Sequence, residues 1–161
     1  MTLPATAFQV VEALRAAGAT VAVAESLTGG LLANAFVEVP GSSTVFRGGI
    51  VAYATALKAT LLGVPAELLA ARGPVDADVA AAMAAGVRRR CGADWGLSTT
   101  GVAGPQPQGG APVGRVHVAV VGPAGRWSRT LDLSGDRQAV RNGTVQAVLE
   151  ELGAHLPGLR R

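Results

Sequence analysis

Cysteine occurs once in this sequence, at Cys91, and histidine twice, at His117 and His155. A single cysteine forms no internal disulfide, and the histidines have no partners at ligand spacing, so no metal site is expected. His117 alternates with apolar residues in VGRVHVAVV, which places it on one face of a strand. Aromatic residues are 4% of the chain, too few for the stacking platforms that hold single-stranded nucleic acid. No apolar run reaches the roughly 18 residues of a membrane helix, so no membrane association is expected. The start, MTLPATAFQVVEALRAAG, contains Glu12 and no basic leader. It reads as an amphipathic first helix and not as a signal peptide, which implies a cytoplasmic protein.

The scarcest charged residue is lysine. Of 14 basic residues only Lys58 is a lysine, and the rest are arginines. Net charge is +3, but the basic residues are scattered apart from Arg88-Arg89-Arg90. That run closes a helical stretch, where cations suit the helix dipole. A nucleic-acid partner is therefore not expected.

With 161 residues, 49% of them hydrophobic, the chain can bury one core, and the expectation is a single domain over 1–161. Phe8, Val11 and Leu14 lie at helical spacing in a first helix over 5–17, stopped by Gly18. TVAVA (20–24) reads as a buried strand, and LLANAFVEV as a helix ending near Pro40-Gly41. VFRGGIVAYA (45–54) reads as a second strand. ALKATLLG is a short helix closed by Gly63, and Pro65 suits the first turn of the next. Asp76 can cap an Ala-rich helix over 77–90. DWGLSTT (94–100) reads as a third strand. VGRVHVAVVG and RWSRTLDL form a hairpin around Pro123-Ala124-Gly125, and a last helix covers 137–152. Strands alternating with helices, ending in a hairpin, predict an α/β domain with a mixed sheet. In such sheets ligands collect at the carboxyl ends of strands.

Those ends carry the candidate chemistry. In Glu25-Ser26-Leu27-Thr28-Gly29-Gly30 a serine stands at a strand-to-helix turn, near free N–H groups and a positive helix end. It is either a nucleophile beside an oxyanion site, an anion-binding turn, or an ordinary helix cap. Lys58 is the one position where a basic side chain can lose its proton near neutral pH, since arginine does not. It is a proton acceptor or a chance survivor of a lysine-poor composition. Tyr53, the only tyrosine, is a possible oxyanion donor or a half-buried strand residue. Thr100-Gly101 opens the Gly-rich turn Thr100–Pro105. Ser134-Gly135-Asp136-Arg137 opens the last helix, with Arg141 one turn on. An arginine there opposes the dipole unless it binds an arriving anion, or pairs with Asp136. No Ser-His-Asp set is visible, and a serine activated by lysine is a known alternative.

Taken together, AESLTGG (24–30), PGSSTVFRGGIVAYATALKATLLGV (40–64), TTGVAGP (99–105), PVGRV (112–116) and SGDR (134–137) resemble the CinA C-terminal domain family, also called the nicotinamide mononucleotide amidohydrolase family. The resemblance covers about residues 5–152. It implies a three-layer α/β/α sandwich that commonly dimerises. The implied activity is hydrolysis of the carboxamide of nicotinamide mononucleotide to nicotinic acid mononucleotide and ammonia, without cofactor or metal. The implied partner is thus a small pyridine nucleotide. By position, Ser26, Lys58 and Tyr53 match the catalytic serine, lysine and tyrosine. Thr28, Thr100 and Arg137 match the substrate pocket, and Gly29, Gly30, Gly101 and Arg141 are expected to line it. The sequence departs from the family at Leu27, usually cysteine, at Ala54-Thr55, usually Ser-Asn, and at Ala111 and Arg115. Many members carry an N-terminal pyrophosphatase-like domain, so the resemblance implies the stand-alone form. Two other readings are a non-catalytic nucleotide-binding or regulatory domain linked to competence or DNA damage, and an amidase for a different amide.

Overall fold

A computed structural model describes residues 5–159. The ends of the domain expected over 1–161, residues 1–4 and 160–161, lie outside the described residues. The elements run α1 (Ala7–Ala16), β1 (Val21–Glu25), α2 (Leu31–Val37), β2 (Phe46–Val51), α3 (Thr55–Leu62), α4 (Ala66–Arg72), α5 (Ala77–Cys91), β3 (Trp95–Gly101), β4 (Arg115–Gly122), β5 (Gly125–Asp132) and α6 (Arg137–His155).

The five strands form one sheet in the order β2-β1-β3-β4-β5. β1 runs parallel to both β2 and β3, whereas β3-β4 and β4-β5 are antiparallel. The sheet is mixed, as expected, and helices cover both faces. Because side chains alternate along a strand, Val21 and Val23 enter the core built with α1, α2 and α6. Ala22 and Ala24 face α5 instead. The result is a three-layer α/β/α sandwich.

Close approach sets the spacing of one layer. A Cβ on Gly96 of β3 would lie 2.1 Å from the Ala84 carbonyl oxygen of α5, and one on Gly86 would lie 1.9 Å from the Leu62 carbonyl oxygen. Neither atom can yield, since both belong to backbone, so glycine at these positions lets α5 seat against the sheet and the end of α3.

Several ends are fixed as the sequence suggests. Asp76 accepts from the Asp78 and Val79 amides to start α5, and Asp136 accepts from Ala139 to start α6. Gly63 closes α3 in the left-handed region. The arginine run falls in the last turn of α5 and ties it to its surroundings: Arg88 donates to Asp94 O, beyond the helix, at 2.7 Å and Arg90 to Thr60 O of α3 at 3.4 Å.

Other expectations are corrected. Phe8 is 60% exposed, and the buried side of α1 is Val10, Val11, Ala13 and Leu14. At 100° per residue Phe8 lies about 140° round the helix from the centre of that stripe. β2 stops at Val51, three residues early: Ala52 still donates to Glu25 O, but its own carbonyl turns to Lys58. Pro65 is the cap residue of α4 and not part of its first turn. Among the described residues no helix is long and apolar enough to cross a membrane.

Candidate active site

The parallel strands β1, β2 and β3 all end at one edge of the sheet, where α6 also begins. Ser26 follows β1, Ala52 and Tyr53 follow β2, and Gly101 closes β3. One small domain thereby brings most of its chemistry-bearing turns to a single end.

The turn after β1 is held from three sides. Gly30, at φ 104°, occupies the cap position of α2. Ser26 is therefore not the helix cap. The capping acceptor is Glu25, fully buried, whose carboxylate takes the Leu32 amide at 2.8 Å and the Ala33 amide at 3.0 Å. A carboxylate there is stabilised by the positive end of the helix. On the β3 side the Ser26 amide donates to Thr99 O at 3.1 Å, and the Thr28 and Thr99 hydroxyls meet at 2.8 Å. On the α6 side Arg141 donates from Nε to Leu27 O at 3.0 Å and from Nη2 to Thr28 O at 3.1 Å.

Lys58 extends from the first turns of α3 into this arrangement. It is 1% exposed. Its Nζ lies 2.9 Å from Ser26 Oγ, 2.7 Å from Ala52 O and 3.4 Å from Tyr53 O. Burial disfavours the charged amine and pulls its pKa from 10.5 down to about 8. The three contacts suit a neutral amine. Its two N–H groups match the two carbonyls, and its lone pair is left to accept the Ser26 hydroxyl proton.

Ser26 and Lys58 line a cavity of about 80 Å3 together with Tyr53, Pro74, Thr100, Gly101, Gly104 and Arg137, among others. Tyr53 is 60% exposed at its mouth. Arg137 donates from Nη2 to the Tyr53 hydroxyl at 3.2 Å and from Nη1 to Gly104 O. Neither Arg137 nor Arg141 pairs with Asp136 among the described residues, so the surface-pair explanation of these arginines is set aside. Thr100 lines the cavity while its hydroxyl donates to Pro74 O at 2.6 Å. Thr28, Gly29, Gly30 and Arg141 do not line it: Thr28 is buried against Thr99, and Arg141 is bound to the turn's carbonyls.

The histidines lie apart from this cavity's lining. His117 Nδ1 is 2.9 Å from Thr130 Oγ1, and burial lowers its pKa. His155 stacks on Trp127. Among the described residues no group of three or more His, Cys, Asp or Glu is placed to hold a metal ion.

Two positions escaped the sequence reading. Glu25 had a visible signal, being an acid at the end of an otherwise apolar run. Thr99 is masked within Ser98-Thr99-Thr100, where only strand alternation separates the residue facing the Ser26 turn from its neighbours, which bond to Ala80 and Pro74.

The family model described as the CinA C-terminal domain matches residues 4–156. A CinA-like protein of Frankia casuarinae is 56% identical over 141 residues, covering 88% of this chain and 33% of the relative. A putative competence-damage inducible protein of Desulforamulus reducens is 47% identical, covering 88% of this chain and 34% of the relative. The chain thus spans about a third of the length of these curated relatives. Among solved structures, the competence/damage inducible protein CihA of Agrobacterium tumefaciens superposes with a TM-score of 0.88 at 33% identity, covering 100% of both chains. A CinA superfamily protein of Klebsiella pneumoniae gives 0.88 at 30% identity, covering 91% of this chain and 92% of its own. On sequence, on fold and over nearly its whole length, this chain belongs to the CinA C-terminal domain family.

Proposed function

We propose that this protein is a serine amidase that hydrolyses the carboxamide of nicotinamide mononucleotide, yielding nicotinic acid mononucleotide and ammonia. The observation that carries the reading is the buried Lys58 amine, 2.9 Å from Ser26 Oγ, with its proton affinity lowered toward neutrality. A lysine in this state is a general base and not a counter-ion.

In the proposed reaction Lys58 takes the Ser26 proton as Oγ attacks the carboxamide carbon. The resulting tetrahedral oxyanion is stabilised by backbone amides of the Ser26 turn. Lys58 then returns the proton to the departing nitrogen, ammonia leaves, and water hydrolyses the acyl ester. Tyr53 accepts from Arg137, which leaves its own hydroxyl proton available to the ligand or to a proton relay. A cavity of about 80 Å3 is well below the roughly 300–1,000 Å3 of pockets that enclose a whole small ligand. It suits the amide-bearing end alone. The phosphate would then stay at the mouth, where Arg137 stands exposed at the start of α6. No cofactor enters the scheme. The working form is taken as a homodimer or higher homo-oligomer, as the family resemblance implies, acting in the cytoplasm.

The test is ammonia release from nicotinamide mononucleotide by wild type and Ser26→Ala in parallel. Release by wild type alone is expected. Equal release by both would remove Ser26 from the mechanism, and none by either would remove this substrate.

A further inference from the structure

Arg141 is expected from sequence to bind substrate, yet each of its three guanidinium nitrogens donates elsewhere. Nε and Nη2 hold the consecutive carbonyls of Leu27 and Thr28 at 3.0 and 3.1 Å, and Nη1 holds Gln138 Oε1 at 3.0 Å. These two carbonyls belong to the turn that carries the nucleophile. A trans peptide is planar, with its C=O and N–H pointing in opposite directions. Fixing the Leu27 carbonyl toward α6 therefore turns the Thr28 N–H away from α6. The Ser26 carbonyl is fixed in a similar way by the Gly29 amide at 3.1 Å, which sets the direction of the Leu27 N–H.

Most amides of the turn already have acceptors. Ser26 donates to Thr99, Gly29 to Ser26, Leu31 to Thr28, and Leu32 and Ala33 to Glu25. Among the described residues, the Leu27, Thr28 and Gly30 amides have no such partner, and of these three residues only Leu27 lines the cavity. The Leu27 amide follows the serine directly, where an oxyanion formed by attack of Oγ would need a donor.

We propose that Arg141 is a positioning residue that aims the Leu27 amide, on the cavity wall, as an oxyanion donor, and that it does not contact substrate: by holding the Thr28 carbonyl it sets the Gly29 amide, which holds the Ser26 carbonyl and so directs the Leu27 N–H. The proposal rests on the serine-amidase reading above. A fork of donors on two successive carbonyls suits arginine, whose planar geometry fixes both peptides at once. Lysine, a single charge on a flexible stem, would hold one.

The test uses the full chain and two readouts. The first is the rate at which diisopropyl fluorophosphate modifies Ser26: Oγ bonds to phosphorus, fluoride leaves, and the serine proton passes to Lys58. The adduct's phosphoryl oxygen occupies the oxyanion position whatever the natural substrate is. The second is kcat and KM for nicotinamide mononucleotide. In Arg141→Met, modification is expected to slow by about 10- to 100-fold, somewhat less than loss of an oxyanion donor outright. kcat should fall by the same factor, with KM within about threefold. Arg141→Lys should recover part of the loss in both, and it remains informative if the methionine variant does not fold. Wild-type modification rates in the variants would overturn the proposal. So would a raised KM at unchanged kcat, which would return Arg141 to substrate binding. If wild type is modified at Ser26 but releases no ammonia, only the substrate fails, and the first readout still decides. If wild type is neither modified nor active, the serine-amidase reading fails and the proposal falls with it.

Discussion

The nearest oxygen to Lys58 Nζ is the carbonyl of Ala52, at 2.7 Å, closer than the Ser26 hydroxyl at 2.9 Å. The amine is thus anchored by backbone that has left the β2 ladder, and it reaches the serine as its second contact. Its lowered proton affinity follows from burial.

Turnover should therefore depend on pH through one group. The working form of Lys58 is neutral, so kcat/KM should rise with pH and level off above about 8. Below that point it should fall by about tenfold per pH unit. A profile of ammonia release from pH 6 to 9 measures this, and a flat profile would remove Lys58 as the titrating base.

The same shift appears in stability, with a definite sign. The folded amine has a pKa of about 8 and the unfolded one 10.5, so between these values the unfolded state binds more protons and stability rises with pH. The cost of burying the charge is present in full below pH 8 and is relieved by 10.5. Against Lys58→Met, which lacks this group, wild type should gain roughly 3 kcal/mol across the window. Urea unfolding of both proteins at pH 7 and pH 10 compares them.

Arg137 at the mouth should act on binding. Arg137→Lys keeps the charge and loses the fork, so KM for the nucleotide should rise about tenfold while kcat stays within about threefold. Steady-state kinetics of the variant decide, and a fall in kcat alone would place Arg137 at the reacting end.

Thr99→Val should weaken both fold and site. It leaves the buried Thr28 hydroxyl without its 2.8 Å partner, at a cost of about 1–3 kcal/mol. It also removes the Thr99 hydroxyl that lies 3.4 Å from the Ser26 amide. Urea midpoints with kcat measured on the same samples test this. Unchanged stability would mean that the Thr28 hydroxyl finds another acceptor.

Gly86→Ala is expected to be among the costlier single-methyl changes, because the new carbon would lie 1.9 Å from Leu62 O. A loss of about 3 kcal/mol or more is expected, since α5 or the end of α3 must move. Chemical denaturation measures it, and α3 also carries Lys58, so activity should fall with stability.

Much of this was legible because local chemistry and tertiary demand agree. TVAVA is β-branched, apolar and buried on both faces; Asp76 caps the helix it was expected to cap; a lone lysine among arginines is the residue beside the serine. Elsewhere tertiary structure decides. Phe8 fits a helical spacing as well as Val10 does, and only the position of the sheet selects between them. The end of β2 is set by where the Ala52 carbonyl turns, and an alanine gives no local sign of that. Arg141 reads as an anion binder because its sequence position is right for one, while its acceptors are two carbonyls on a turn 114 and 113 residues away.

These separations have a kinetic meaning. Ser26 meets Lys58 across 32 residues, Tyr53 meets Arg137 across 84, and Leu27 meets Arg141 across 114. Closing loops this long costs entropy that contacts near in sequence avoid. No fragment ending before α6 could contain the complete constellation. Assembly of the site then depends on closure of almost the whole chain, and its appearance during refolding would report that α6 has docked.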